Sequence, residues 1–86
     1  MFHLSVVVPA GKVFEDSIES IALPGLMGGF EVYTGHMPML AALKGGVVSI
    51  KKEGKTVKSF TIDSGVLEVD AEHQVLLLAD QILDQK

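Results

Sequence analysis

The sequence contains no cysteine, no tryptophan and no arginine. Without cysteine the chain can form neither disulfides nor thiolate metal sites, and nothing points to an oxidising compartment. Without arginine it has no planar, two-pronged cation for phosphate groups or guanine edges, so nucleic-acid binding is not expected. All seven basic residues are lysine. Four of them cluster between residues 51 and 58, where the solvated face of a hairpin is the simpler interpretation.

Long apolar runs are also missing. None approaches the roughly 18 residues that a membrane-spanning helix needs. The opening residues, MFHLSVVV, lack the charged start and the cleavage site of a signal peptide. We therefore expect a cytosolic protein. Its 86 residues suffice for one small domain with a single core.

Short apolar segments recur between glycines, with the spacing of β-strands. Residues 2–8 alternate between apolar and more polar side chains, which predicts a strand with one buried face. A hairpin is predicted over 48–62 around the turn Glu53-Gly54, and a second over 67–79. No helical period of 11 residues or more is present. The sequence therefore predicts an all-β sandwich or barrel.

Two segments are less regular. Residues 18–23 are a strand candidate that is covered on both sides. In the tail, DQILDQK, Asp80 would cap a helix and the following Ile-Leu pair would begin one. Such a short helix needs a partner to pack on. We therefore assign a β domain to 1–80 and treat 81–86 as the stub of a helical region or a disordered tail.

The three histidines are the first candidates for chemistry. His3, His36 and His73 are each separated by more than thirty residues, whereas zinc sites usually include a close pair of ligands. His3 and His73 are interpreted as ordinary strand and turn residues. The sequence thus predicts no metal site.

Other polar clusters give no catalytic arrangement either. Ser64 is followed by glycine but lacks the full frame of a nucleophile elbow. The acids Glu15, Asp16 and Glu19 are interpreted as solvated loop charges. The glycine-rich loop after Pro24 matches neither a phosphate loop nor the dinucleotide fingerprint. We therefore predict no catalytic residue and no cofactor.

Apolar residues in glycine- and proline-bounded loops remain. Such residues either pack into the core or form an interface. Methionine suits adaptable contact surfaces, which favours binding. These residues are Leu26, Met27, Met37, Met39 and Leu40.

The succession of short motifs is more specific than any one of them. In order lie HLSVV, GKVFE, LPG, a glycine-rich loop, GHMPML, LKGG, SGVLEV and VLLLAD, over residues 2 to about 80. This succession resembles the epsilon subunit of the rotary F-type ATP synthase. Its sharpest part is GHMPMLAALKGGV, and SGVLEV is the second.

The resemblance implies a fold and a role. The family combines an N-terminal flattened β-sandwich of about ten strands with a C-terminal helical hairpin that acts as a brake on ATP hydrolysis. The sandwich is a non-catalytic part of the central stalk, bound to the gamma subunit and to the ring of c subunits, and it helps couple proton movement to ATP synthesis. A place on the cytoplasmic face of a bacterial inner membrane follows, with membrane contact only through the complex.

The short length implies a difference from the family. The helical hairpin, and with it the inhibitory arm, is expected to be absent, either in a naturally short form or through a cut at the domain boundary. We expect such a chain to support rotor assembly without braking hydrolysis.

The resemblance also implies contact residues. Two positions depart from the family in the segment facing the c ring: Met27 and Gly29 stand where acidic residues are frequent, so that contact is expected to be more apolar or weaker. Thr34 replaces a proline before Gly-His, and Glu31 a frequent glycine. The implied gamma contacts are His36, Pro38, Leu40, Ala41 and Glu68, and the implied c-ring contacts are Leu26, Met27, Gly28, Gly29 and Phe30.

Two other readings stay open. One is a free-standing β-sandwich module that binds a small molecule or carbohydrate, although such modules generally expose aromatic rings. The other is a small β-fold enzyme with a histidine site. Co-elution with a gamma subunit would separate the rotor reading from both.

Overall fold

The structure, a computed structural model, describes residues 1–85. Within these residues the chain forms ten β-strands and no helix, and hence no helix that could cross a membrane. The predicted all-β class is confirmed. The strands are β1 (Phe2–Val8), β2 (Gly11–Ile18), β3 (Ser20–Gly25), β4 (Gly28–Tyr33), β5 (Met39–Leu43), β6 (Gly46–Lys52), β7 (Lys55–Ile62), β8 (Gly65–Val69), β9 (Val75–Ala79) and β10 (Ile82–Gln85).

All ten strands belong to one curled sheet. Its order is β10-β7-β6-β3-β5-β8-β9-β1-β2, and β4 pairs with β3 outside this path. Among the strands of residues 1–85, only β1 and β9 pair in parallel. Strand β3 forms the corner of the sheet, because its first half pairs with β6 while its last residue, Gly25, pairs with Leu43 of β5. The corner lets the two halves of the sheet face each other.

The core lies between these two halves. In β1 the alternation predicted from the sequence is confirmed, since Leu4 and Val6 are fully buried while His3 and Ser5 are only partly covered. Phe60 and Ile50 close the core from β7 and β6, and Leu67 from β8. Burying a side chain of this size contributes about 1.5–3 kcal/mol. The strands therefore hold together through their inner faces.

The hairpin predicted over 48–62 is confirmed. Strands β6 and β7 pair from Gly46 with Ile62 to Lys52 with Lys55, leaving a two-residue turn. Both turn residues have positive φ, 55° at Glu53 and 76° at Gly54. Such a turn matches the right-handed twist of the strands and favours Asn-Gly. Glutamate is therefore a strained choice at its first position.

Replacing Glu53 by Asn is expected to stabilise the protein by about 0.5–1 kcal/mol, because asparagine tolerates the left-handed conformation better than glutamate does. Urea unfolding would measure the change. Glu72→Asn is a suitable control, since Glu72 is also an exposed turn residue but is not among the residues with positive φ. Equal shifts in both variants would contradict the explanation.

The structure differs from the sequence-based expectation at β2. The strand candidate 18–23 is divided, because β2 ends at Ile18, Glu19 forms a bend and β3 begins at Ser20. Glu15 and Asp16 therefore lie on a strand and not in a loop. Strand β2 is an edge strand with mostly exposed side chains. It has no continuous apolar face, so the alternation used to detect the other strands is missing.

The tail also differs. The helix start expected after Asp80 is wrong, because residues 82–85 form strand β10 beside β7. Ile82 packs against the core, and the Thr61 backbone N–H donates to Asp84 Oδ1 at 3.0 Å. An apolar side chain next to an open strand edge thus decides the conformation of this short segment. The domain boundary at residue 80 stays a prediction.

Candidate functional site

Strands β5, β8, β9 and β1 present an apolar surface to solvent. In one row across them, Ala42 pairs with Val66, Val66 with Leu78, and Leu78 with Val7. In the next row Leu40 pairs with Glu68, Glu68 with Leu76, and Leu76 with Ser5. We call these residues the outer face: Ser5, Val7, Leu40, Ala42, Val66, Glu68, Leu76 and Leu78.

The period-2 geometry of the strands creates this face. In β8, Leu67 and Val69 are buried. Val66 and Glu68 alternate with them along the strand and therefore point outwards. Three large apolar side chains of the face are substantially exposed: Leu40 at 74%, Leu78 at 45% and Val66 at 37%. A contiguous apolar patch of this kind on a small domain marks an interaction surface.

His36 lies in the loop between β4 and β5, at one end of the outer face. Its backbone N–H donates to the Tyr33 carbonyl at 3.2 Å, and its ring Nδ1 lies 2.8 Å from the Met37 carbonyl oxygen. The His73 ring Nδ1 lies 3.1 Å from the His36 carbonyl oxygen. Because a carbonyl only accepts, each Nδ1 donates here. The His73 ring thus ties this loop to the β8–β9 turn, whereas the bond of the His36 ring stays within the loop.

The turn between β3 and β4 carries Leu26 and Met27. Their side chains are 61% and 98% exposed. The Leu26 backbone N–H donates to the Ala42 carbonyl, and the Lys44 backbone N–H to the Pro24 carbonyl, both at 2.9 Å. These bonds fix the turn beside the end of β5, whereas the His36 loop precedes the start of β5. The two loops therefore lie at opposite ends of this strand.

A groove of about 360 Å³ joins the turn to β5. It brings residues of both implied contact sets together, since Leu40 and Ala41 line it opposite Leu26 and Met27. The full lining is Gly25, Leu26, Met27, Gly28, Phe30, Met39, Leu40, Ala41 and Ala42.

Four of the implied contacts lie apart from this meeting point, and one of them, Glu68, is on the outer face beside Leu40. Gly29 lies on a separate surface, beside Pro24 and Val47. His36 and Pro38 lie in the loop before β5. Ala41 lines the groove but pairs with the buried Leu67, so it faces inwards and shares no face with Leu40 and Glu68.

Comparison with known proteins identifies the family. Residues 1–85 match the family model described as ATP synthase, Delta/Epsilon chain, beta-sandwich domain. The chain is 39% identical over 79 residues to the ATP synthase epsilon chain of Chlorobium limicola, covering 92% of this chain and 90% of that one. The chain belongs to the ATP synthase delta/epsilon family. The resemblance inferred from the motif order is thereby confirmed.

Other epsilon chains of bacteria differ in length from this one. The Chlorobaculum tepidum epsilon chain is 40% identical over 76 residues, which are 88% of this chain and 86% of that one. The Campylobacter curvus epsilon chain is 37% identical over 78 residues, which are 91% of this chain but only 60% of the relative. The chain thus spans most of some epsilon chains and little more than half of others.

Solved structures carry the same fold. A chain of the Tetrahymena thermophila mitochondrial ATP synthase central stalk and c-ring structure superposes with a TM-score of 0.83 at 14% identity, covering 96% of this chain and 66% of that chain. A chain of the Euglena gracilis mitochondrial ATP synthase structure, which contains the c ring, gives 0.86 at 18% identity, covering 95% and 52%. At these identities the two structures show the shared β fold, and membership of the family rests on the family model and the epsilon-chain relatives.

Sequence reasoning missed most of the outer face of this epsilon-type domain. Val7, Ala42, Val66, Leu76 and Leu78 were not among the predicted contacts. Strand β9 has the sequence VLLLA, an uninterrupted apolar run that is equally typical of a strand buried on both sides. The neighbouring strand β8 carries a signal that could have revealed the face. Its Glu68 lies between the apolar residues Leu67 and Val69, which indicates that one side of this strand is exposed.

Several polar side chains elsewhere are engaged in local contacts. The Ser64 hydroxyl donates to Asp80 Oδ2 at 2.6 Å, and Lys52 Nζ lies 3.1 Å from Asp16 Oδ2. Within residues 1–85 no group of three or more histidine, aspartate or glutamate side chains is arranged to hold a metal ion. The most prominent surface feature of the described chain is therefore the apolar outer face.

Proposed function

We propose that this chain joins the gamma subunit to the c ring in the central stalk of an F-type ATP synthase. In this role it performs no chemistry and helps couple proton movement through the membrane sector to ATP synthesis in the catalytic head. The observation that carries the proposal is the exposed apolar outer face of an epsilon-type domain. The corresponding location is the cytoplasmic face of a bacterial inner membrane, reached only through the complex.

The outer face is the proposed gamma-binding surface. Its two rows run from Leu40 and Ala42 on β5 to Ser5 and Val7 on β1, so a partner can cover four strands at once. Covering exposed apolar surface contributes about 25 cal/mol per Å² before the costs of association. The His36 loop borders this surface, and its bonds to Tyr33 and His73 reduce the conformational freedom lost on binding.

The β3–β4 turn is the proposed c-ring contact. Leu26 and Met27 project from a turn that two backbone hydrogen bonds hold against β5 and the β5–β6 loop. Methionine adapts its shape to irregular apolar surfaces. Neither side chain carries a charge, so this contact gains no ion pairs from the tip of the turn. We therefore expect it to tolerate salt.

A reconstitution assay separates the two contacts. The chain is co-expressed with the gamma subunit of the same synthase, and the purified pair is then added to c rings in detergent and tested for co-sedimentation. Met27→Glu is expected to lower c-ring binding about tenfold, because a charge replaces an apolar contact, and to leave gamma binding unchanged. Failure of the unmutated chain to co-elute with a competent gamma subunit would refute the proposed function.

Val57→Glu is the matched control for Met27→Glu. Val57 is also an exposed apolar residue, but it lies on β7 in the other half of the sheet. Equal loss of c-ring binding in both variants would place the ring contact somewhere other than the β3–β4 turn.

A further inference from the structure

Glu68 is the one charged residue of the outer face. Its neighbours across the sheet are Leu40 on one side and Leu76 on the other. Val66, two residues earlier on the same strand and the same face, is apolar as well. The carboxylate therefore has apolar neighbours on three sides, at the border of the two-row face.

Among the described residues, most acidic side chains have an internal partner, but Glu68 does not. Asp70, for example, accepts the backbone N–H groups of Glu72 and Gln74 at 2.9 Å. Within residues 1–85, the carboxylates without a hydrogen bond or ion pair are those of Glu53, Asp63, Glu68 and Glu72. The other three lie in turns or bends, whereas Glu68 lies in the middle of a strand.

Glu15 lies on β2, one strand beyond the outer face, in line with the row that contains Glu68. It pairs across β1 with Ser5, and its two oxygens lie 2.8 Å from Lys12 Nζ and 2.7 Å from His3 Nε2. These hydrogen bonds, that of Lys12 first, lower the pKa of Glu15. The charge of Glu15 is thus balanced by Lys12 and His3 within the chain, whereas no side chain that the structure describes balances the charge of Glu68.

A partner that covers the outer face removes the Glu68 carboxylate from water and must compensate for the lost hydration. Removing an unpaired carboxylate from water is costly unless a cation and hydrogen bonds replace the water. A purely apolar partner surface would therefore be penalised at the position of Glu68. A surface that brings one cation to this point avoids the penalty and fixes its own register on the face.

We propose that the partner surface on the outer face is an apolar strip with one lysine or arginine, which pairs with Glu68 and selects the docking register. The inference rests on the proposed function, in which this partner is the gamma subunit. Glu68 then determines specificity: the apolar rows supply the contact area, and the single ion pair distinguishes the correct strip from other apolar surfaces.

The test compares charge variants of the full chain in titrations with the gamma subunit at low and high salt. Glu68→Lys is expected to weaken binding by at least about thirtyfold and Glu68→Gln by about threefold to thirtyfold, because each leaves the gamma cation unmatched. Raising the salt should weaken binding of the unmutated chain but hardly affect Glu68→Gln. Glu53→Lys, with the same change in net charge in the β6–β7 turn, should bind like the unmutated chain.

Charge reversal in gamma completes the test. One Lys→Glu or Arg→Glu variant of gamma is expected to regain at least about tenfold of the affinity lost by Glu68→Lys, which is the coupling of a close charge pair. Unchanged affinity of Glu68→Lys, or no rescue by any single reversal, would overturn the ion pair while leaving the proposed function intact. Absence of gamma binding by the unmutated chain would overturn both.

Discussion

Replacing Leu78 by Asp is expected to lower the affinity for the gamma subunit by about a hundredfold or more. Leu78 lies in the middle of its row, between Val66 of β8 and Val7 of β1. A carboxylate there would be covered by the partner without a cation to meet it, and the apolar contact of the leucine would be lost. Because the side chain is 45% exposed in the free protein, the isolated domain should keep its fold.

The measurement is a calorimetric titration with gamma, together with thermal unfolding of the free chain. Val47→Asp is the matched control, since Val47 is 57% exposed and lies on β6 in the other half of the sheet. It introduces the same charge into a strand of the same kind. If both variants bound gamma equally well, the outer face would not be the gamma-binding surface.

Replacing Gly25 by Ala is expected to lower the free energy of unfolding by about 3 kcal/mol. A methyl group at this position would overlap the Gly28 carbonyl oxygen and come within 2.8 Å of the Phe30 ring. The first of these atoms belongs to the backbone of Gly28, which begins β4 and pairs with Gly25 across the two-residue turn, so it cannot move without changing the hairpin. For a domain of this size, such a loss lowers the melting temperature by roughly 10–20 °C.

Gly29→Ala provides the comparison within the same hairpin. A methyl group on Gly29 would lie 3.6 Å from the Leu23 carbonyl oxygen, which is an ordinary contact distance. We expect its melting temperature to change by no more than a few degrees, as for most surface substitutions. Equal melting temperatures for the two alanine variants would show that the corner of the sheet is looser than its contacts indicate.

The fold class was predictable because the inner faces follow a simple rule. In β1 and in the β6–β7 hairpin, one side of the strand faces the core, so apolar residues recur with a period of two. Strand β2 escaped detection because it is an edge strand with little buried surface. Strand β10 escaped because a four-residue segment carries too little pattern, and its pairing with β7 decides its conformation.

The candidate site was only partly predictable, for a different physical reason. Leu40 and Glu68 were named from motifs, and the structure places them opposite each other in neighbouring strands. Leu78 was not named, because its exposure depends on the register between β9 and its neighbours. Sequence pattern reports the period along one strand. A surface made of four strands also requires their order, which local patterns do not contain.

The hydrogen bonds at the end of β3 determine how the β3–β4 turn responds to a pulling force. Its end is tied to β5 and the following loop by the Leu26–Ala42 and Pro24–Lys44 backbone hydrogen bonds, and these bonds lie roughly perpendicular to the strands. A pull on the tip of the β3–β4 turn along β3 therefore loads both bonds in shear, at the same time. Load in this direction therefore passes from the turn into β5 through both bonds together and does not break them one after the other. This suits the proposed role, in which the turn contacts a rotating ring.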